Sequence, residues 1–109
     1  MQEGIAGTIP VRVQILESAF ADIANGALFY ELQRMGLGRR FAEGLAGDME
    51  KLRLHAGIHP VILGYHRMLA KRFQYAVYYR IHADLVQVHA VLDCRRDPKW
   101  VERRLQERG

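Results

Sequence analysis

Apolar and polar residues alternate along three stretches of the chain, 11–16, 73–82 and 86–94, and this period of two predicts β-strands. A further strand of mixed faces is expected at 65–71. The apolar face predicted for the last strand contains Val86, Val88, Ala90, Leu92 and Cys94. For this face to match the preceding strand in an antiparallel pair, Ile81 must lie opposite Val86. That register requires an even loop of two or four residues around Ala83-Asp84.

A period near 3.6 predicts three helices. Ser18 is expected to cap the first, which continues to about Arg34 and is ended by Gly36-Leu37-Gly38. The second helix begins at Arg39. Its apolar stripe consists of Phe41, Leu45, Met49 and Leu52. Asp97-Pro98 is typical of a helix start, so a third, C-terminal helix is expected over 98–108.

The predicted order is strand, helix, helix, strand, strand, strand, helix. It indicates an α+β fold: an N-terminal strand, a helical hairpin, a three-stranded antiparallel meander forming a twisted sheet, and a short C-terminal helix. The helical hairpin is expected on one face of the sheet, and 55–64 is interpreted as a linker with turn chemistry. Residues 1–10, which lack periodicity, are interpreted as a flexible leader to a single domain over 11–109.

Length and composition favour one small globular protein, since the chain has 109 residues and 50% hydrophobic content. It lacks the apolar run of a membrane span and the pattern of a signal peptide, which predicts a cytoplasmic protein. Cys94 is the single cysteine, and the five histidines show no ligand spacing. Neither a metal site nor a cofactor is therefore predicted.

Positive charge is concentrated in the second half of the chain. Residues 1–54 contain 6 Lys and Arg against 7 Asp and Glu, whereas residues 55–109 contain 10 against 5, and the formal net charge is +4. Such an excess favours an acidic partner, either a nucleic acid or an acidic protein segment. The alternative is a solvated basic surface without a specific partner.

Three segments carry a resemblance to a known family. They are YELQRMGLGRRF at 30–41, KRFQYAVYYRI at 71–81 and VLDCRRDPKW at 91–100. Together with the element order, they resemble the RelE/ParE superfamily of type II toxin–antitoxin toxins. The resemblance implies a twisted antiparallel sheet with the helical hairpin on one side. It also implies a cognate antitoxin whose extended or helical tail lies along grooves of the toxin, as part of a hetero-oligomer.

Within this superfamily the chain is more similar to the ParE-like branch, whose members are implicated in blocking DNA gyrase, than to RelE-like enzymes that cut messenger RNA on the ribosome. Two positions depart from the family pattern. Gln74 stands where proline is common, and Cys94 where glycine often precedes the paired arginines.

An RNA-cleaving enzyme needs a base, an acid and cations around the scissile phosphate. The cations expected for such a site are Arg67, Lys71, Arg80 and Arg95, with Arg96 nearby. Ribosome-dependent nucleases resemble one another in having a tyrosine or histidine beyond the last strand, whereas Trp100 is the one aromatic residue after His89 here. This difference favours a non-catalytic protein, although Tyr78, His82 or His89 could serve as a base.

The leading hypothesis is therefore a plasmid-stabilisation toxin that binds and inhibits gyrase. Its predicted partner-binding residues are Arg80, Arg95, Arg96 and Trp100. The first alternative is a ribosome-dependent endoribonuclease acting on messenger RNA. The second is a folded interaction module without toxicity.

Overall fold

A computed structural model describes residues 11–108, which form five strands and four helices. In chain order these are β1 (Arg12–Ile15), α1 (Glu17–Gln33), α2 (Leu37–Glu50), α3 (Leu52–His55), β2 (Val61–Ile62), β3 (Tyr65–Leu69), β4 (Tyr75–His82), β5 (Leu85–Asp93) and α4 (Pro98–Arg108). The predicted leader at 1–10 lies outside the described residues. Among the helices described, none has the length and apolarity that crossing a membrane requires.

The five strands form one mixed sheet in the order β1-β5-β4-β3-β2. The predicted meander of β3, β4 and β5 is antiparallel as expected, and β1 adds to its edge parallel to β5. The α+β prediction is thus confirmed. The prediction of a linker at 55–64 was wrong in part. Strand β2 lies within this segment and pairs with β3. A tight turn permits this pairing, because Leu63 and Gly64 both adopt positive φ, 54° and 83°.

The register between β4 and β5 agrees with the sequence pattern at one end of the hairpin. Ile81 lies opposite Val86, and His82 opposite Leu85, so the loop is the two-residue Ala83-Asp84. The prediction that the apolar residues of β5 share one face was wrong. A β-bulge at His89 adds one residue to β5, and because side chains alternate, every later residue changes face.

The bulge divides the buried residues of β5 between two hydrophobic cores. Val86, Val88 and Val91 face the helical hairpin, whereas Ala90 and Leu92 face α4. The larger core packs α1 and α2 on the sheet, as predicted. The smaller core, on the opposite face, consists of Tyr65, Ala76, Tyr78, Ala90, Leu92 and Leu105 with Trp100 and Val101 against it.

The helix boundaries differ from the predictions near the N-termini. Leu16, not Ser18, is the N-cap of α1, and it makes no side-chain capping hydrogen bond. The hydroxyl of Ser18 instead donates to the carbonyl oxygen of His89 at 2.9 Å, which ties the first turn of α1 to the bulge. Helix α2 begins at Leu37, two residues earlier than predicted, and Lys51 separates it from α3.

Candidate partner-binding surface

Helix α4 and the loop before it carry a dense positive charge. Residues 95–108 contain six basic and three acidic side chains. Trp100 lies between two of the arginines: the guanidinium carbon of Arg96 is 3.9 Å from the centroid of its ring, and that of Arg104 is 4.8 Å away. Both contacts are cation–π interactions, which hold two positive charges beside a large apolar ring. Arg and Trp in contact are the residue types most enriched among the strongest contributors to protein interfaces.

The C-terminal end of α4 is fixed to the rest of the protein by a part-buried ion pair. Arg108 binds the carboxylate of Asp22 in α1 with both terminal nitrogens, and the side chains are only 14% and 11% exposed. This carboxylate raises the pKa of Arg108. Leu105 of α4 is buried, and its carbonyl oxygen accepts a hydrogen bond from the Tyr65 hydroxyl at 3.1 Å. These contacts set the position of the basic surface relative to the sheet.

Asp22 also accepts a backbone hydrogen bond at the outer edge of β5. Strand β1 pairs with β5 only up to Val88, so from His89 onward no strand of the described chain lies beside that edge. There the Val91 N–H donates to Asp22 Oδ2 at 2.9 Å. The carbonyl oxygen of His89 accepts from Ser18 and, at 3.4 Å, from Arg108. One carboxylate thus joins α1, β5 and α4.

Between α1 and α4 a cleft opens over this edge, which we call the α1–α4 cleft. Its lining combines aromatic, acidic and basic groups. The lining residues include Asp22, Asn25, Phe29, Tyr75, Asp93, Arg96, Trp100 and Arg104. Two of the four predicted partner-binding residues, Arg96 and Trp100, therefore lie in one surface feature.

A second depression lies where β3 and β5 end and β4 begins, and we call it the sheet-end groove. It contains most of the cations that the sequence suggested for a phosphate site. The lining includes Arg67, Leu69, Lys71, Arg72, Tyr75, Cys94 and Arg95. The structure thus brings Arg67, Lys71 and Arg95 together, adds Arg72, and leaves out Arg80.

Arg95 is held in place on the hairpin side of the groove. Its guanidinium forms a bidentate pair with Asp93 at 2.9 Å through Nε and through a terminal nitrogen, and it also reaches the hydroxyl of Tyr30 at 3.4 Å. The hydrogen bond from Arg95 is the main reason that the pKa of Asp93 is lowered. Arg95 therefore presents a positive charge that is already partly neutralised within the chain.

Arg80 occupies a different environment on the α4 side of the sheet. Its guanidinium carbon lies 4.0 Å from the ring centroid of Tyr65, and its Nε donates to the carbonyl oxygen of Gly64 at 3.2 Å. Tyr65 belongs to the smaller core, so Arg80 lies on the opposite face of the sheet from the helical hairpin. Its contacts join β4 to the β2–β3 turn.

None of the three groups suggested as a catalytic base, Tyr78, His82 and His89, lines the sheet-end groove. Tyr78 contacts Arg67 but is only 4% exposed, and its pKa is raised chiefly by burial. His82 is at the opposite end of β4 from Tyr75, and the seven residue steps between these two positions span about 23 Å. His89 lies at the bulge, where its Nε2 is buried without a hydrogen-bond partner in the described chain. Only Tyr78 is therefore within reach of the cations.

The structure adds three side chains that sequence reasoning missed: Asp22, Arg72 and Arg104. Arg104 is detectable in principle, because it lies four residues after Trp100 and such residues are neighbours on a helix. Arg72 is next to Lys71 in a basic pair. Asp22 has no local signal, since its partner Arg108 is 86 residues away. Within residues 11–108 no three His, Cys, Asp or Glu side chains form a cluster that could hold a metal ion.

Acid should destabilise the protein through two histidines whose pKa is lowered, chiefly by burial: His89, which stacks edge-on against Tyr65, and His59. The Nδ1 of His59 is 2.6 Å from the Tyr79 hydroxyl, which also accepts a hydrogen bond from Gly57 N–H at 2.9 Å. A lowered pKa means that the folded state disfavours protonation. Stability is therefore complete above about pH 6.5 and falls as the pH decreases below it.

Thermal unfolding followed across this range tests the expectation. The melting temperature of the wild type should decrease on acidification, and the decrease should be smaller in His89→Gln. His82→Gln, which changes an exposed histidine and removes only the smallest of the effects that lower the pKa of His89, should follow the wild type closely. Equal acid sensitivity of His89→Gln and the wild type would show that His89 is not responsible.

The fold resembles that of a protein of known structure. A chain of the chromosomal ParDE toxin–antitoxin system from P. aeruginosa superposes with a TM-score of 0.69 at 12% sequence identity, over 77% of this chain and 96% of that chain. No protein-family model matches the sequence, and no curated protein matches it either. The structural likeness confirms the fold implied by the resemblance of the three sequence segments.

Proposed function

We propose that this ParE-like chain is the toxin component of a type II toxin–antitoxin system, that it binds and inhibits DNA gyrase in the bacterial cytoplasm, and that a cognate antitoxin neutralises it in a hetero-oligomer. The ParE-like fold supports the toxin assignment. The observation that favours binding over catalysis is the setting of the cations. They surround the sheet-end groove and the α1–α4 cleft, while His82 and His89 lie away from the groove and Tyr78 is buried.

The basic surface of α4 is the part that we assign to the macromolecular target. Arg96 and Arg104 are exposed, and Trp100 between them is half-buried, so the three present charge and apolar area together. Such a surface suits an acidic protein region, because aromatic anchors provide affinity and positive charge directs the encounter. Arg95 contributes less here, since Asp93 already binds it.

A supercoiling assay tests the proposal directly. The purified chain should inhibit the supercoiling of relaxed plasmid by gyrase, and inducible expression should arrest growth with DNA-damage signalling. The double variant Arg96→Glu/Arg104→Glu should inhibit at least about tenfold less, since loss of such residues commonly costs over 1 kcal/mol of binding. Its matched control, Arg12→Glu/Arg53→Glu, makes the same charge change on exposed side chains of β1 and α3 and should inhibit normally. Normal supercoiling at saturating wild-type protein contradicts gyrase as the target.

A second candidate function, a ribosome-dependent endoribonuclease, is favoured by one contact. A terminal nitrogen of Arg67 lies 3.9 Å from the Cys94 sulfur, and Arg67 lowers the pKa of Tyr78 against the larger effect of burial, so a cation of the groove and a phenol lie next to each other. Primer extension on ribosome-bound message distinguishes this function. New cuts that disappear in Arg67→Ala would support it, and intact message would exclude it. Unaffected growth at high expression would instead indicate a folded module without toxicity.

A further inference from the structure

Helix α1 is apolar on both of its long sides. One side is buried against α2 and the sheet through Ala19, Ile23, Gly26 and Tyr30. The opposite side is in solvent and bears an apolar stripe, defined here as Phe20, Ala24, Leu28 and Leu32, with Met35 just beyond the helix. The exposed fractions of the large members are 57% for Phe20, 58% for Leu28, 79% for Leu32 and 90% for Met35. A contiguous exposed patch of this kind marks an interaction site, because a helix that is apolar all round is normally covered.

None of the charged side chains of α1 belongs to this apolar stripe. The helix contains three charged residues, Glu17, Asp22 and Glu31. Asp22 is paired with Arg108, and Glu31 turns away to accept hydrogen bonds from Gly36 N–H and Gly38 N–H at 3.0 Å. A negative charge therefore remains at the first residue, Glu17, and the next positive charge is Arg34, directly after the helix. An acidic antitoxin tail finds no basic side chain along α1 itself.

From these observations we propose that the stripe binds the same stripe on a second copy of this chain, with the two α1 helices antiparallel. The four residues are spaced by four and are symmetric about position 26. A two-fold axis at that level places Phe20 against Leu32 and the small Ala24 against Leu28 of the second copy. A two-fold interface must be self-complementary in this way.

The same axis also matches the charges at both ends. It brings Glu17 of one copy to within about one residue, or about 1.5 Å along the helix, of the level of Arg34 of the other. Each dimer would have two such pairs, and the helix dipoles would also be antiparallel. A single pair of helices is a small interface. The association is accordingly a concentration-dependent equilibrium between monomer and dimer, and it does not depend on the target of the toxin.

Sedimentation velocity of the full chain tests the surface. The wild type should shift from monomer to dimer with increasing concentration, and Leu28→Glu should remain monomeric. Ile58→Glu, which adds the same charge at a 72% exposed position before β2, is the matched control and should dimerise. A wild type that stays monomeric throughout would overturn the proposal and leave the stripe to another protein. Dimers that persist in Leu28→Glu would overturn it as well.

Charge-reversed variants test the antiparallel register. Glu17→Lys alone and Arg34→Glu alone each place like charges together at both ends, so each homodimer should weaken by about tenfold. When the two variants are mixed, each chain supplies the charge that the other lacks. The mixture should therefore form a heterodimer about as stable as the wild-type dimer. A mixture no more associated than its components would overturn the antiparallel arrangement.

Discussion

Asp22→Ala should lower the free energy of unfolding by about 3 kcal/mol, because it leaves the largely shielded guanidinium of Arg108 without a counter-ion. The same substitution removes the acceptor of the Val91 N–H at the outer edge of β5. The side chain of Asp22 is only 11% exposed, so water replaces little of what is lost. Urea denaturation gives the change in unfolding free energy, provided that the slope of the transition stays constant.

Two further variants identify the origin of this loss. Arg12→Ala removes an ion pair with Asp84 whose side chains are 73% and 66% exposed, and it should cost less than about 1 kcal/mol. The double variant Asp22→Ala/Arg108→Ala should be more stable than the sum of the single variants predicts, since it removes the orphaned charge too. A loss in Asp22→Ala as small as that in Arg12→Ala would mean that the pair does not hold α4.

Gly38→Ala should be the second most damaging substitution, with a loss of about 1–3 kcal/mol. A Cβ at this position would lie 2.4 Å from the backbone oxygen of Ala27 and 3.0 Å from Cβ of Glu31, so α1 and α2 would have to separate. Separation would also stretch the hydrogen bond from Gly38 N–H to Glu31, which satisfies the start of α2. The obstacle is a backbone atom of a neighbouring helix, which rotation of a side chain does not relieve.

Gly47→Ala is the matched control in the same helix. A Cβ there meets no atom within 4 Å, so the variant should be stabilised by about 0.5–1 kcal/mol through the greater helix propensity of alanine. Thermal or urea unfolding of the two variants should give changes of opposite sign. If both substitutions stabilise the protein, then the two helices are not in close contact at Gly38.

Sequence patterns were sufficient where neighbouring residues settle the structure. The alternation along β4 predicted the strand, and the facing pattern of β5 required Ile81 opposite Val86 and an even loop of two or four residues, which the structure shows to be two. Asp97-Pro98 predicted the start of α4 at the correct residue. Each of these features depends on a period or a capping preference within a few residues, so the chain determines it locally.

For the candidate binding surface the sequence predicted residue types but not their arrangement. Of the four residues predicted to bind a partner, Arg80, Arg95, Arg96 and Trp100, the structure places Arg96 and Trp100 in the α1–α4 cleft. Arg80 was grouped with Arg67, Lys71 and Arg95 as a cation for a scissile phosphate. In the fold Arg80 packs on Tyr65, outside the sheet-end groove, because strand position along β4 separates it from the groove.

By itself, the sequence determined the α+β order of elements, the helical hairpin and the hairpin register, since these follow from local periodicity. Only the tertiary structure decided the parallel addition of β1, the bulge at His89 that redirects Ala90 and Leu92, and the pairing of Asp22 with Arg108. It also decided that one side of α1 stays in solvent. Contacts between residues far apart in sequence leave no period along the chain, because they are selected by how whole elements pack together.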